Sequence, residues 1–413
     1  MGEEFYTHEF ENGLTLVTQR MEQVSSTAAT IAVPMGASRD PDACAGSAAV
    51  ASYWMLRGAG QHNSRQLNDA LDALGCQHHE EPRSQHLVLS AAQLGRNLPE
   101  VLRLYGDILR RPQLAEETFG PSRELVSQAL DGLEDEPMRK CNVLIRERFY
   151  PQPLGRNALG TKESLAAMDA SGLRKHLEQH LSPNGTIIGI AGQFDWAELL
   201  EVVHRCFGDW AGAPLSEVST TPPAGGQVHL TKDSAQVQIA LAYPAVTIAD
   251  DRYYVTRVAQ MVLSGGMSAR LFTEVREKRA LVYAVMARYH SLKDQAGIFV
   301  YAGTTPDRAQ ETLDVTVEVL RGLSENLTAE ELARARTQLK SALVMQGEST
   351  SARSGALVAD QYHLGRLRGL SEIADAIDAV TVDQVRQYVR AFPAEDLIAL
   401  IIGPKQLDTR ALS

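Results

Sequence analysis

The chain has 413 residues, a length natural for two domains of roughly 200 each, and its 44% hydrophobic and 22% charged residues are those of a globular protein. A formal net charge of −11, with no block of five like charges, argues against a duplex-binding surface and a polyelectrolyte tail. No apolar run reaches the ~18 residues needed to cross a bilayer, so neither nucleic acid nor membrane is an expected partner.

The opening MGEEFYTHEFENG is acidic, without the apolar core of a signal peptide or the Arg-rich face of a transit peptide, and a cytoplasmic location is expected. LTLVTQR and TAATIAVPMGAS then read as strands. AGSAAVASYWMLRG, residues 45–58, reads as a helix with a Gly–Ser start and Arg57-Gly58 as its stop. Ala49, Ser52 and Tyr53 stand at i, i+3 and i+4 and share one face of it, a spacing at which side chains often grip a metal. None of the three is a usual ligand.

Four histidines follow, His62, His78, His79 and His86, with Glu80 and Glu81 among them. The alternation of CQHHEEPRSQHLVLS sends His78 and His79 to opposite faces of a strand, so the run reads as a polar strand edge and not a relocated metal site. Next come the strand HLVLSAAQL and two helices separated by a short break at Leu114, within NLPEVLRLYGDILRRPQLAEETFGPSRELVSQAL. AGAPLSEVSTTPPAGG, residues 211–226, has no apolar period and reads as a linker. Cys44, Cys76, Cys141 and Cys206 are far apart, with no Cys-x-x-Cys, and read as reduced, mostly buried thiols.

The second half repeats the order. VQIALAYPAV and GIFVYAGTT read as strands, and QETLDVTVEVLRGLSENLTAEELARARTQLKSAL is a second helical pair broken at Leu327. A shift of 213 positions sets Glu117 on Glu330, Phe119 on Leu332, Ala129 on Ala342 and Leu130 on Leu343. The fold class expected is therefore α+β: two homologous sandwiches, each of helices packed on an antiparallel-rich sheet, over residues 1–213 and 227–413 with a linker at 214–226.

These stretches, with FENGLTLVTQR, LNDALDALGCQ and above all SGGMSARLFTEVREKRALVYAV, resemble the insulinase/pitrilysin family of zinc metallopeptidases in its short two-domain form, which includes the mitochondrial processing peptidase. Active members carry His-x-x-Glu-His on the helix after the Gly-rich approach. Laid on the flanks Gly46 and Arg57-Gly58, the resemblance puts the two His positions at Ala49 and Tyr53 and the Glu position at Ser52. It puts the downstream carboxylate ligand at Asp131, 78 residues after Tyr53 and one beyond the family spacing, with Glu124 at a nearby acidic position.

A zinc hydrolase needs about three N, O or S ligands, a bound water and a base. Ala49 has no lone pair, Ser52 is a poor base and ligand, Tyr53 carries a phenol, a group type ordinarily protonated at neutral pH, and Asp131 is one carboxylate. The expectation is a chain with no catalytic or metal-binding residues of its own and no cofactor, zinc being carried by a partner.

The resemblance also implies that Arg276 and Tyr283, seven apart, bind peptide substrate. Arginine offers a donor fork to a carbonyl, and a phenol donates to a developing oxyanion. The competing reading pairs Arg276 with Glu274 or Glu277 and buries Tyr283. Gly265-Gly266, without a P-loop pattern, reads as a turn before a helix. The leading function is a non-catalytic subunit that pairs with an active zinc-bearing homologue and acts on peptides. The alternatives are an assembly scaffold and a stand-alone hydrolase with an unconventional site.

Overall fold

Alternation and β-branching in the strand segments, and a period near 3.6 in the helical ones, are realised in the strands and helices of residues 3–412, which the computed structural model describes. The chain packs as two α+β units. The first unit contains a six-stranded sheet in the order Glu4–Glu9, Thr15–Arg20, Ile187–Gly192, Ser26–Val33, Leu87–Leu94, Gln77–Pro82. The second contains five strands in the order Gln227–Thr231, Ile398–Gly403, Val237–Ala245, Ala296–Thr304, Val282–Ser291.

Omitting the extra edge strand Glu4–Glu9, the two orders correspond strand for strand. The directions agree as well: Thr15–Arg20 runs parallel to Ile187–Gly192 as Gln227–Thr231 does to Ile398–Gly403, and every other pair is antiparallel. The internal repeat is thus a duplication of topology.

In the first unit the helix Leu98–Arg110 turns Leu98, Val101, Leu102, Tyr105, Ile108 and Leu109 into the core beside Leu16, Ile31, Leu89 and Ile190 from the sheet. Its counterpart Ala309–Arg321 does the same with Leu313, Val317 and Leu320.

The packed units differ from the linear halves. One comprises Met1–Gly132, Arg156–Thr220 and Gln346–Arg368; the other comprises Leu133–Gly155, Thr221–Met345 and Gly369–Ser413. Each sheet has two apolar faces, and a helix from the opposite half of the sequence covers one of them. Helix Pro137–Phe149 brings Cys141, Ile145 and Phe149, spaced by four, onto Ala240, Ala242, Phe299, Leu400 and Ile402.

Helix Thr350–Leu364, 213 residues on, brings Leu357 and Val358 onto Val17, Ala32, Val88, Ile187 and Ala191. Its seat is also polar: the Thr30 and Ser354 hydroxyls lie 2.8 Å apart, buried, and Arg353 Nε donates to Gln19 Oε1 at 2.6 Å. Residues 211–226 are largely exposed and irregular apart from a bridge between Gln152 and Thr221. No helix among the described residues is long and apolar enough to cross a membrane.

Candidate functional site

Helix Ser47–Met55 begins at Gly46, whose φ of 96° is the left-handed conformation that glycine accepts most readily. The space there is also closed, since a Cβ would lie 2.8 Å from the Leu159 carbonyl oxygen. The N-terminus is capped from a distance. Asp40 Oδ2 accepts from the Gly46 N–H at 2.8 Å and Oδ1 from the Ala48 N–H at 3.0 Å, which answers donors the helix leaves open.

Arg156 Nη1 donates to the Asp40 carbonyl at 2.5 Å, and Ser164 Oγ donates to the Ala45 carbonyl at 2.7 Å. Burial pushes the Asp40 carboxyl up to about 7 and the His176 imidazole, whose Nε2 lies 3.7 Å from Asp40 Oδ1, down to about 4. The other end of the helix is held by Trp54, whose Nε1 donates to Thr118 Oγ1 and the Ala115 carbonyl, each at 3.1 Å.

On this anchored helix Ala49 is wholly buried in the core, and Ser52 is buried with its hydroxyl donating to the Ala49 carbonyl at 2.7 Å. Tyr53 is 40% exposed. Asp131, near the end of helix Glu116–Gly132, is ion-paired at 2.5 Å with Lys162 Nζ. Glu124, on the same helix, accepts from Gln128 Nε2 at 3.3 Å.

These residues do not fit zinc. Ala49 offers no donor atom, the Ser52 proton is committed to the backbone, and an ammonium already neutralises Asp131. Among the described residues no group of three or more His, Cys, Asp or Glu side chains is placed to hold a metal ion.

The histidine-rich run forms the edge strand Gln77–Pro82. His78 Nδ1 lies 3.0 Å from Glu80 Oε1, two residues on and on the same face, and the buried Tyr105 hydroxyl also donates to Glu80 at 3.3 Å. The Glu80 hydrogen bond raises the His78 pKa. His86 instead makes an edge contact with Tyr362 at 4.4 Å between ring centroids.

In the second unit the segment after Gly265-Gly266 leads into a π-helical turn, Phe272–Glu277. Arg276 lies on its exposed side, its guanidinium carbon 5.0 Å from the Phe272 ring centroid and 5.7 Å from that of Tyr283. Glu274 is taken by Lys278 at 2.7 Å and Arg279 at 2.9 Å, and among the described residues Arg276 makes no ion pair.

Tyr283 falls where the pairing of Val282–Ser291 with Ala296–Thr304 slips by one residue, which leaves it unpaired, 83% exposed and without a hydrogen bond to its hydroxyl among the described residues. The structure thus brings Arg276 and Tyr283 together, with the exposed Arg276 guanidinium within cation–π distance of both the Phe272 and Tyr283 rings. Sequence reasoning missed Asp40, which fixes the helix entry. Its signal is an acidic residue in ASRDPDACAGS, six positions before Gly46 and outside the usual capping position.

Comparison with known proteins covers most of the chain. Residues 15–162 match the insulinase family (peptidase family M16), and residues 167–339 match the peptidase M16 inactive domain. An uncharacterized zinc protease of Rickettsia bellii is 26% identical over 98% of this chain and 99% of its own. One from Bacillus subtilis is 24% identical over 95% and 97%. Among solved structures, a protease from Helicobacter pylori superposes with a TM-score of 0.90 at 16% identity, covering 97% of this chain and 99% of that one. A peptidase M16 inactive domain from Pseudomonas fluorescens superposes with a TM-score of 0.88 at 18% identity, covering 98% and 99%.

Proposed function

Because this chain belongs to the M16 peptidase family, and its motif positions supply no metal ligand set, we propose that it is a non-catalytic subunit that pairs with an active, zinc-bearing homologue to cleave peptides. The single observation that carries the reading is the contrast between the two segments. Ala49 has no lone pair and the protonated Ser52 and Tyr53 hydroxyls are poor zinc ligands, whereas Arg276 and Tyr283 stand exposed, with no ion pair and no side-chain hydrogen bond among the described residues. Exposed arginine and tyrosine donors have a use when a peptide carbonyl is presented to them. In this reading the partner supplies zinc, water and base, and this chain supplies substrate contacts, in the cytoplasm.

The test is reconstitution. The isolated chain, dialysed and analysed for metal, is expected to hold well under one zinc per chain and to cleave no peptide. Mixed with a homologue that bears His-x-x-Glu-His, it is expected to co-elute and to raise peptide turnover. Stoichiometric zinc held by this chain's own side chains, or turnover by the chain alone, would sink the reading.

A further inference from the structure

The sequence contains eight lysines, and two of them, 92 residues apart, converge on one carboxylate. Lys140 lies in helix Pro137–Phe149, and Lys232 follows strand Gln227–Thr231. Lys232 Nζ is 3.0 Å from Glu134 Oε2, and Lys140 Nζ is bonded to Glu134 Oε1. The three side chains border a cavity of about 300 Å³ in the second unit, closed on its apolar side by Pro137 and Ile402. That is the lower end of the volume range of small-molecule sites.

Buried Gln238 also lines it, with Oε1 accepting from the Tyr301 hydroxyl at 2.5 Å and Nε2 donating to Gln236 Oε1 at 3.3 Å. Its second amide hydrogen has no acceptor among the described residues, and neither do the backbone N–H groups of Ser234 and Ala235. The lining is therefore rich in donors and holds two cations against one anion. The anion is the most exposed of the three charged groups, at 57% for Glu134 against 21% for Lys140. A half-solvated carboxylate on a flexible stem regains water as it leaves, so its departure costs only the two partly exposed lysine contacts, and it would leave two ammoniums facing the cavity.

We propose that this cavity binds a small organic oxoanion, a carboxylate or phosphate group on a compact body. Lys140 and Lys232 hold the anionic group, Gln238 donates from the floor, and Glu134 is a tethered occupant that swings into solvent when the ligand enters. No covalent step is involved. The site lies apart from Arg276 and Tyr283, and its test does not depend on the peptidase reading.

The experiment is titration of the full-length chain with inorganic phosphate and, separately, with glutarate, each at ionic strength held constant with chloride, read by calorimetry and by the shift in melting temperature. Saturable binding of either probe is expected, and the probe that saturates identifies the preferred headgroup. Lys140→Met and Lys232→Met should each weaken it by about tenfold. Glu134→Gln should tighten it by about threefold or more, because it removes the internal competitor from the binding-competent state. A misfolded variant would not produce that gain, and melts without ligand check the two lysine variants. No saturable binding of either probe, or binding that all three substitutions leave unchanged, would overturn the proposal.

Discussion

Replacing Gly189 with alanine is expected to loosen the seat of helix Thr350–Leu364 on the first unit's sheet. Gly189 lies in the central strand Ile187–Gly192, under this helix. A Cβ there would stand 2.5 Å from the Ser354 carbonyl oxygen and 2.6 Å from Val358 Cγ2, where ordinary contact needs about 3.5 Å. One of the obstacles is backbone, so the helix itself must rise by about 1 Å. That shift stretches the buried 2.8 Å contact between Thr30 and Ser354 and opens the packing of Leu357 and Val358.

Overpacking of this kind costs about 1–3 kcal/mol, and the weakened buried hydrogen bond adds about 1 kcal/mol. The expected loss is therefore about 2–4 kcal/mol. The control is Gly355→Ala in the same helix, where an added Cβ meets nothing within 4 Å. It should stabilise by about 0.5–1 kcal/mol through helix propensity. Urea unfolding of both variants, with amide hydrogen exchange across residues 350–364, measures the effect. Unchanged stability and exchange in Gly189→Ala would refute this account of how the helix is held.

Asp40 predicts a pH signature. Its folded value of about 7 lies above the open-chain 3.8, so its contribution to stability is full below about pH 4 and is lost as pH rises through 7. His176, depressed from 6.5 to about 4, works with the opposite slope as pH falls. Asp40→Asn removes the first term alone, so its melting temperature relative to wild type should rise between about pH 4 and 7 and level off above; a flat difference across that window would contradict the burial argument. Restoring the motif with Ala49→His, Ser52→Glu, Tyr53→His and Asp131→Glu should create zinc affinity measurable by competition with a chelator. Adding Lys162→Ala should increase that affinity by removing the competing ammonium at residue 131. Ala49 and Ser52 are buried, so a fall in melting temperature is expected as well, and a folded variant without zinc affinity would show that the helix is not placed as a metal site.

Much of the fold was legible because strands and helices declare themselves by period. LTLVTQR, HLVLSAAQL and GIFVYAGTT carry the alternation or continuous burial of strands, and the 213-residue repeat marks the duplication. The crossing of Pro137–Phe149 and Thr350–Leu364 was not legible. A stripe such as Cys141, Ile145, Phe149 says that a helix has an apolar face but not which sheet will cover it. The assignment of Ala49, Ser52, Tyr53 and Asp131 to motif positions is what the family resemblance implies, whereas the Asp131–Lys162 pair is a tertiary contact.

The exposure of Tyr283 depends on a one-residue slip in strand pairing that no sequence pattern announces. The approach of Arg276 to Phe272 and Tyr283 likewise depends on a π-helical turn where the sequence reads as an ordinary helix. The lysine pair around Glu134 joins residues 92 apart and has no local signature.

Steady-state kinetics of the reconstituted complex, with wild-type partner and this chain carrying Tyr283→Phe or Arg276→Ala, test the central claim most directly. Both side chains are exposed, and cation–π contacts at exposed sites are worth only about 0.5–1 kcal/mol, so melting temperature should change little and assembly should persist. If they meet substrate at the partner's zinc, Tyr283→Phe should lower kcat by about 10²–10³, the usual cost of one oxyanion donor, and Arg276→Ala should also raise KM. Unchanged kcat and KM in two stable, assembled variants would contradict the claim that this chain contributes to peptide cleavage.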